Sequence, residues 1–501
     1  MNNKFFVWNT VSSIGLQIIA LLCGFVLPKA TLLIYGSEIN GIVSSITEFL
    51  GIIALLEFGV GATVQSALYK PLVKKDGYLL SQVLLSGYNF FKKLAIILVF
   101  YLVILVIIFP KLSSFTLLEK EDVSLLIIFI GIGLFSNYYF GIINQLLLTA
   151  DQKVYIYNCI SAITLIINTI GSILLMYSGF SIVAVKCFSS ILYFIRPLCL
   201  KIYVNKKYNI NRNISYIGDP IEQKKDGIVQ HFAAYILNKT DVIILTFFTT
   251  MIDVSIYSIY NLVVVGVQSI ISSFFIGGVS PIFGNLWANK EIGKLKAFFK
   301  KVEWSIYFLS VILFGCTSVL IEPFIKLYTQ GVTDANYTPP YFGFLMVLAQ
   351  LIYFFRLPYN MMILAGNHYK QTKYLYYVPA LINLFLSIFF VKYYGLIGVM
   401  IGTIVALSIQ TILMIFYLRK NLIKNSLFSS IKNMSVSIFL FFMTYYLTYD
   451  LFNFYGGYFE LFYYASMIFI IWIVMSLIVN LIFYKKYIFN VFSFFYKKLR
   501  L

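Results

Sequence analysis

The sequence predicts an all-α polytopic membrane protein, and three observations lead to that fold class. Of the 501 residues, 60% are hydrophobic and only 11% are charged, whereas a soluble domain has roughly a quarter of its residues charged. The apolar residues form repeated runs of about 20, the length that a helix needs to cross a bilayer. The cations behind the net charge of +19 lie mostly between these runs. That placement favours a membrane protein over a nucleic-acid-binding one.

The apolar runs define about 14 transmembrane helices. Backbone polar groups find no partners in lipid, so every run that crosses the bilayer must be helical. The predicted spans are 9–34, 41–69, 88–110, 123–149, 155–177, 180–203, 228–250, 254–286, 302–325, 340–363, 371–391, 395–418, 432–452 and 461–484.

The positions of Lys and Arg set the orientation of these spans. With the N-terminus inside, 29 of the 38 Lys and Arg fall on the inside, 5 on the outside and 4 within spans. Cytoplasmic loops of membrane proteins carry the excess of Lys and Arg. Both termini are therefore predicted to be cytoplasmic, which requires an even number of spans.

An internal repeat divides the chain into two halves. Two stretches align with Asn168 against Asn383 and Gly179 against Gly395. Six spans in each half is an even number, which predicts parallel repeats about an axis along the membrane normal. The predicted organisation is a six-helix lobe over 1–203, a cytoplasmic linker loop over 204–227, a second six-helix lobe over 228–418, and two additional helices with a basic cytoplasmic tail over 419–501.

The motifs of the chain do not support catalysis. It has two histidines, five cysteines scattered singly through apolar runs, and no P-loop, nucleophile elbow or HExxH sequence. Those patterns are the ones that mark phosphate, acyl-transfer and metal chemistry. We therefore expect no enzyme activity, no cofactor and no metal centre.

Ionisable residues within the predicted spans are the candidate functional groups. A charge at a helix centre costs about 2.5–3.5 kcal/mol on insertion scales, so such residues usually face a partner or a watery cavity. Four cations and two acids lie mid-span, and an excess of positive charge suits an anionic substrate such as a diphosphate. The candidate substrate-binding cations are Lys239, Arg356, Arg196, Lys186 and Lys29, and the candidates for ion coupling or structural pairing are Glu57 and Asp241.

The alternative role of these charges is structural. Glu57 or Asp241 would then pair with one of the span cations and lock two helices together. Three further acids, Glu303, Glu322 and Glu48, lie near the ends of predicted spans. We expect these three to be solvated.

Several stretches occur in an order that is typical of one family. They are INGIVSSITEFLGIIALLEFGVGATVQSALYKPL at 39–72, LNKTDVIILTFFTTMIDVSIYSIYNLVV at 237–264, SPIFGNLWANKEIGKLKAFF at 280–299 and GLIGVMIGTIV at 395–405. They resemble the Wzx-type polysaccharide and O-antigen flippases, which move lipid-linked oligosaccharides. That family shares a superfamily with multidrug/toxin extrusion exporters and lipid II flippases.

The resemblance implies two six-helix lobes around a central cationic cavity that opens alternately to each side, with H⁺ or Na⁺ as the coupling ion. By position, Asp241 matches the family's acid in the seventh helix and Glu57 its acid in the second. Arg356 matches a basic position ahead of the proline in the tenth helix. Ser255 departs from the pattern, because the family often has Gly there.

The expected function is therefore a flippase for undecaprenyl-diphosphate-linked oligosaccharide repeat units in the bacterial cytoplasmic membrane. Its expected partners are the lipid-linked substrate, the bilayer and other polysaccharide assembly proteins, with no nucleic acid. A teichoic-acid or peptidoglycan-precursor flippase fits the charges equally well. A multidrug or cation antiporter would favour a net acidic cavity, and a glycan polymerase would favour a large external loop.

Overall fold

Every regular element in the described part of the chain is a helix, as predicted. The computed structural model describes residues 3–57, 60–112, 116–208, 210–211, 228–368, 370–423, 426–449 and 456–499. Most of the predicted linker loop, 204–227, and the last two residues of the predicted basic tail lie outside the described residues.

Sixteen α-helices follow one another along the described residues. They are α1 Asn3–Tyr35, α2 Ser37–Gly51, α3 Val60–Lys74, α4 Gly77–Leu112, α5 Lys120–Ser136, α6 Ile142–Ala150, α7 Val154–Tyr177, α8 Ile182–Lys207, α9 Ile228–Phe248, α10 Met251–Gly278, α11 Ser280–Ala288, α12 Ile292–Tyr328, α13 Phe342–Ala365, α14 Tyr374–Asn421, α15 Leu427–Tyr449 and α16 Tyr458–Leu499. A 3₁₀-helical segment, Ile52–Leu56, extends α2, and a π-helical segment, Asn137–Gly141, joins α5 to α6.

Twelve helical stretches of the described chain are long and apolar enough to cross a membrane. One of them is α14, whose 48 residues are two helices that meet at Gly395, where φ is 53° and ψ is −127°. The chain is therefore a multi-pass membrane protein. The predicted count of 14 spans is compatible with this structure and stays a prediction.

The helix α1 shows how such a span meets the membrane. Val7, Val11, Ile14, Ile18 and Leu22 recur every three or four residues and are all more than half exposed. Because this spacing places them on one face of the helix, they form an apolar stripe that no protein covers. A stripe of this kind is suited to contact with lipid tails.

Two helical hairpins contain the aligned residues of the internal repeat. Gly179 lies in the turn between α7 and α8 with a φ of 81°, and Gly395 lies in the turn within α14 with a φ of 53°. Glycine adopts this left-handed region without a steric penalty. Asn168 and Asn383 are buried on the first helix of each hairpin. The spacing that aligned the two halves therefore corresponds to matching local structures.

The two helices within α14 approach each other very closely. A Cβ added at Gly398 would collide with the carbonyl group of Phe390, and one at Gly402 would collide with Ser387. Small residues allow helix backbones to come this close in a membrane. The two halves of α14 therefore form one tightly packed antiparallel hairpin.

Packing divides the chain into two compact units. The first unit comprises Met1–Ser258 together with Gly331–Ala335, and the second comprises Ile259–Gln330 together with Asn336–Leu501. In the first unit, α3, α4 and α6 share an apolar core. In the second, α12 packs against α13, α15 and α16. The lobe boundaries predicted from the sequence stay a prediction.

Candidate functional site

The N-terminus of α2 is bound by a carboxylate from a distant part of the chain. One oxygen of Asp334 accepts a hydrogen bond from the Ser37 backbone N–H at 2.6 Å, and the other accepts from the Ser37 hydroxyl at 2.7 Å. A negative charge is favourable at this end of a helix because the first N–H groups are unpaired and the helix dipole is positive there. The segment Gly331–Ala335 is held to the first unit in this way.

One face of α2 is built from small and polar residues that contact α9 and α10. The amide nitrogen of Asn40 donates to the hydroxyl of Ser255 at 2.8 Å. A Cβ added at Gly41 would collide with the backbone carbonyl of Met251. The start of α10 therefore lies directly on the backbone of α2, and polar contacts rather than apolar side chains hold it there.

The same face of α2 continues toward an ion pair. The hydroxyls of Ser45 and Thr246 are 2.5 Å apart. One turn further along, the ammonium of Lys239 on α9 lies 2.9 Å from a carboxylate oxygen of Glu48. Protein leaves 44% of the Lys239 side chain and 21% of the Glu48 side chain uncovered. Lys239, a cation of the predicted span 228–250, is thus both paired and accessible.

Asp241 follows Lys239 by two residues on α9 and is buried. Its side chain is only 4% exposed, and one carboxylate oxygen accepts a hydrogen bond from the hydroxyl of Tyr257 at 3.1 Å. The two residues lie on consecutive helices, α9 and α10. This contact gives Asp241 a structural role in joining them, alongside the predicted role in ion coupling.

Glu57 lies at the end of the 3₁₀ segment that extends α2. Its carboxylate accepts a hydrogen bond from the hydroxyl of Tyr138 at 3.2 Å. Among the described residues no cation lies within ion-pair distance of Glu57. The partner is therefore a neutral donor from the π-helical segment between α5 and α6.

Three predicted cations lie on α1 and α8. Arg196 places its guanidinium 5.6 Å from the ring centre of Tyr193, one turn away on α8, in a cation–π contact. Lys186 is half-buried on the same helix and makes no ion pair with a described residue. Lys29 is half-buried on α1, directly after Pro28. The substrate-binding role of all three stays a prediction.

Arg356 lies inside the second unit. Its side chain is 3% exposed, its guanidinium donates to the side-chain oxygen of Gln410 at 2.7 Å, and it lies 4.5 Å from the ring centre of Tyr353. Its Nε atom has no hydrogen-bond partner among the described residues. The guanidinium is therefore neutralised by no carboxylate there and is screened by an amide and an aromatic ring.

The expectation that Glu303 is solvated is wrong. Its side chain is 0% exposed, and its carboxylate accepts hydrogen bonds from the hydroxyl of Tyr359 and from the amide nitrogen of Asn433, the latter at 2.9 Å. Lys300 and Lys301, one turn earlier, made this position look like the polar end of a span. Packing of α13 and α15 against α12 buries it instead.

Two acids that were expected near span ends lie within candidate spans of the structure. Candidate spans of the described chain include Glu48 and Glu303, which the sequence placed at solvated span ends. Glu57 and Asp241 lie outside these candidate spans, which contain more Lys and Arg than acidic residues. The predicted excess of cations stays a prediction, and the environments of the individual charged residues show which of them are accessible.

These features define a class of protein, the polytopic membrane proteins whose spans contain ionisable residues. No family model matches the chain. Over 386 residues it is 24% identical to the protein named "Putative O-antigen transporter" of Salmonella typhimurium, and the match covers 75% of this chain and 87% of that protein.

Solved structures share the fold. The chain is similar to "Lipid II flippase MurJ, inward closed conformation", with a TM-score of 0.72, 16% identity, and coverage of 96% of this chain and 100% of that one. It is also similar to an inward-facing multidrug resistance MATE family transporter of the MOP superfamily, with a TM-score of 0.58, 13% identity, and coverage of 84% and 95%. These comparisons confirm the resemblance that the sequence predicts, and the chain has the fold of these transporters.

Proposed function

We propose that this chain is a flippase that moves undecaprenyl-diphosphate-linked oligosaccharide repeat units across the bacterial cytoplasmic membrane for surface polysaccharide synthesis. The observation that carries the proposal is the similarity over 87% of a protein named as an O-antigen transporter, in a chain whose fold matches a lipid II flippase over 96% of its length. One name specifies a surface glycan and the other a lipid, which together favour a lipid-linked glycan.

The extent of the structural match supports a lipid substrate over a drug. The lipid II flippase aligns with 96% of this chain at a TM-score of 0.72, whereas the multidrug transporter aligns with 84% at a TM-score of 0.58. The proposal places both termini in the cytoplasm, because the inside loops contain most of the Lys and Arg. Transport would proceed by alternating access, as in other transporters built from repeats.

Lys239 is the cation best placed to contact the substrate. Its ammonium is accessible and already holds one carboxylate, that of Glu48. A diphosphate oxygen offers the same charge-assisted contact as a carboxylate oxygen. A substrate diphosphate would therefore replace Glu48 as the partner of Lys239. Lys239 would stay paired, and the partly exposed Glu48 carboxylate would be left to water. Arg356 is 3% exposed and would reach a substrate only after rearrangement of the second unit.

Two other functions have specific support. A teichoic-acid or peptidoglycan-precursor flippase would use the same diphosphate contact at Lys239. A multidrug or cation antiporter gains support from the partly exposed acids Glu48 and Glu57 in the first unit, because accessible carboxylates bind cationic substrates. The three candidates predict different products on the two faces of the membrane.

The test is complementation of a deletion strain of the native host. The strain would receive wild type, Lys239→Ala, Lys239→Arg or the control Lys294→Ala, which removes an exposed lysine paired with Glu291 at 2.9 Å at the start of α12. We expect the empty strain to lose surface polysaccharide and to accumulate repeat units on the cytoplasmic leaflet. Wild type and Lys294→Ala should restore export, and Lys239→Ala should not at equal protein level.

The outcomes separate the candidate functions. New drug sensitivity with normal polysaccharide would replace the proposal with the antiporter. Loss of wall polymer with intact capsule or O-antigen would point to a teichoic-acid or peptidoglycan precursor. Repeat units stranded on the outer leaflet would indicate a polymerase. Full export by Lys239→Ala would remove Lys239 from the substrate site.

A further inference from the structure

Glu303 on α12 is a buried acid that has no role in the transport function proposed above. Its side chain is 0% exposed, and among the described residues it forms no ion pair. An ionised carboxylate without a cation is strongly disfavoured away from water. We propose that Glu303 is a proton-binding site that joins α12 and α13 to the C-terminal helices α15 and α16, and that its proton is the coupling ion of the flippase.

The contacts of the carboxyl group are neutral hydrogen-bond donors from two other helices. Tyr359 on α13 donates its hydroxyl to one oxygen, and Asn433 on α15 donates its amide to the other at 2.9 Å. Ser430 on α15 adds a side-chain hydrogen bond. A metal ion such as Na⁺ needs oxygen acceptors around it. The donors around Glu303 point hydrogens rather than oxygens at the carboxyl, so they stabilise its ionised form and offer no ligands to a metal ion. Burial without a counter-ion favours the protonated form, so the group can exchange a proton.

The site is satisfied with and without the proton. When Glu303 is ionised, Tyr359 donates to it. When it is protonated, its own O–H donates to the Tyr359 oxygen, and the Tyr359 proton turns to the hydroxyl of Tyr307, 3.3 Å away. Tyr307 in turn donates to the backbone carbonyl of Phe355 at 3.1 Å. The hydrogen bonds are therefore satisfied in both protonation states, which differ in the charge on Glu303 and in the direction of the Tyr359 hydroxyl.

Other charged groups nearby leave the carboxyl without a counter-ion. Lys300 acts on it electrostatically from one turn earlier, and the ammonium of Lys432 lies over the ring of Tyr484, 5.7 Å from its centre. Helix α11 also packs against α12 and contains no titratable residue. The titratable or charged groups around Glu303 are Lys300 and Tyr307 on α12, Tyr359 on α13, Lys432 on α15, and Tyr484 and Tyr487 on α16.

A small cavity next to this network provides a place for the proton to leave. It measures about 10 Å³ and is lined by Tyr307, Asn433, Asn480 and Tyr484 among others, which is close to the space that one water needs. Once the Tyr307 hydroxyl turns from the Phe355 carbonyl to a water in this cavity, the Glu303 proton would pass to the Tyr359 oxygen, the Tyr359 proton to Tyr307 and the Tyr307 proton to the water. One proton enters this series of hydroxyl groups and one leaves it.

The C-terminal helices are the elements that this proton would control. Asn433 accepts from the hydroxyl of Tyr484 on α16 at 2.7 Å, and Trp304 on α12 donates to Asn480 on α16 at 2.8 Å. These bonds connect the carboxyl to α16. Loss of the proton leaves an ionised group in this apolar packing, which favours separation of α15 and α16 from α12 so that water can enter. The coupling role rests on the proposed flippase function, whereas the proton site does not.

The first experiment is infrared difference spectroscopy of the purified full-length protein in lipid, titrated with pH. We expect a protonated-carboxyl band that disappears as pH rises, that Glu303→Gln lacks, and that Tyr359→Phe shifts. Glu322→Gln, which alters a half-buried glutamate on the same helix, should retain the Glu303 band. A band that survives in Glu303→Gln, or a wild type without one, would overturn the proton site. Tyr359→Phe still tests it if Glu303→Gln fails to fold.

The second experiment measures flipping of an undecaprenyl-diphosphate oligosaccharide in proteoliposomes with and without a pH gradient. We expect the gradient to stimulate wild type and Glu322→Gln, and the stimulation to be lost in Glu303→Gln. An equal response of Glu303→Gln to the gradient would overturn the coupling role. Failure of wild type to flip this lipid under any gradient would overturn the proposed function, and the infrared titration would still decide the proton site.

Discussion

Glu48 in the first unit and Glu303 in the second are glutamates near the ends of predicted spans, yet their environments are opposite. Glu48 is partly exposed and lies 2.9 Å from the ammonium of Lys239. Glu303 is fully buried and is held by neutral donors. The first arrangement balances charge with charge and can exchange one anion for another. The second has no counter-ion, so in the proposed mechanism a proton neutralises it. Position along a span therefore does not determine what an acid does; its partners do.

The largest expected effect comes from truncation of the buried acid. Glu303→Ala leaves the Asn433 amide without its acceptor and opens a buried cavity beside Tyr359. A buried unpaired group costs about 1–3 kcal/mol, and the cavity adds to that cost. We expect a loss of about 2–4 kcal/mol in the free energy of unfolding, measured by thermal unfolding in detergent. Glu322→Ala on the same helix should change it by much less. Equal effects of the two substitutions would show that the network around Glu303 contributes little.

The next largest effect tests the close packing of α2 against the start of α10 in the first unit. Gly41→Leu would force α2 away from the backbone of Met251, and overpacking of this kind costs about 1–3 kcal/mol. Gly61→Ala is the matched control, because its new Cβ would meet only Leu146 at 3.9 Å. Thermal unfolding should separate the two variants. If Gly41→Leu is as stable as Gly61→Ala, α2 and α10 do not pack as described.

The helix cap at the start of α2 is expected to contribute less. Asp334→Ala removes both hydrogen bonds to Ser37, and loss of a cap typically costs about 1 kcal/mol. Asp334→Asn retains an acceptor and should lose only the smaller charge–dipole contribution. Hydrogen exchange of the first turn of α2 should rise in the first variant more than in the second. The reverse order would contradict the capping role.

The smallest expected effect on stability concerns the ion pair of Lys239 and Glu48, the exposed member of the comparison. A double-mutant cycle on Lys239 and Glu48 should give a coupling energy in stability of about 0.2–1 kcal/mol, because partly exposed ion pairs contribute little. Export should nonetheless fall in Lys239→Ala. The exposed pair of Glu291 and Lys294 is the control, with similar coupling and no effect on export. A coupling energy several times larger would mean that Lys239 is structural.

Features that depend on a single stretch of sequence could be predicted, whereas contacts between distant residues could not. Gly179 and Gly395 could be matched because turn glycines and the apolar runs around them are readable along one segment. The pairing of Lys239 with Glu48 joins residues 191 positions apart, and nothing in either helix specifies the other. Sequence placed Lys239 in a cavity and left its acid partner among the solvated residues.

The environment of Glu303 was missed for a related reason, although a signal existed. Lysines one turn earlier suggested a span end, whereas burial depends on where α15 and α16 pack. Those two helices contain Asn433, Asn480 and Tyr484 within apolar runs. Polar side chains in a span need a partner on another helix. The presence of these three therefore indicated that another helix places a polar group against α15 and α16.

The tight turn within α14 has a consequence for how the protein is made. Helices 374–394 and 396–421 are joined by a single non-helical residue, Gly395, so almost no chain is available to hold one of them outside the bilayer while the other enters. We expect the pair to enter the membrane as a preformed hairpin, with Gly398 and Gly402 already packed against Phe390 and Ser387. Its insertion is thus a single event during biogenesis, and a reporter placed between the two helices would block that event rather than record it.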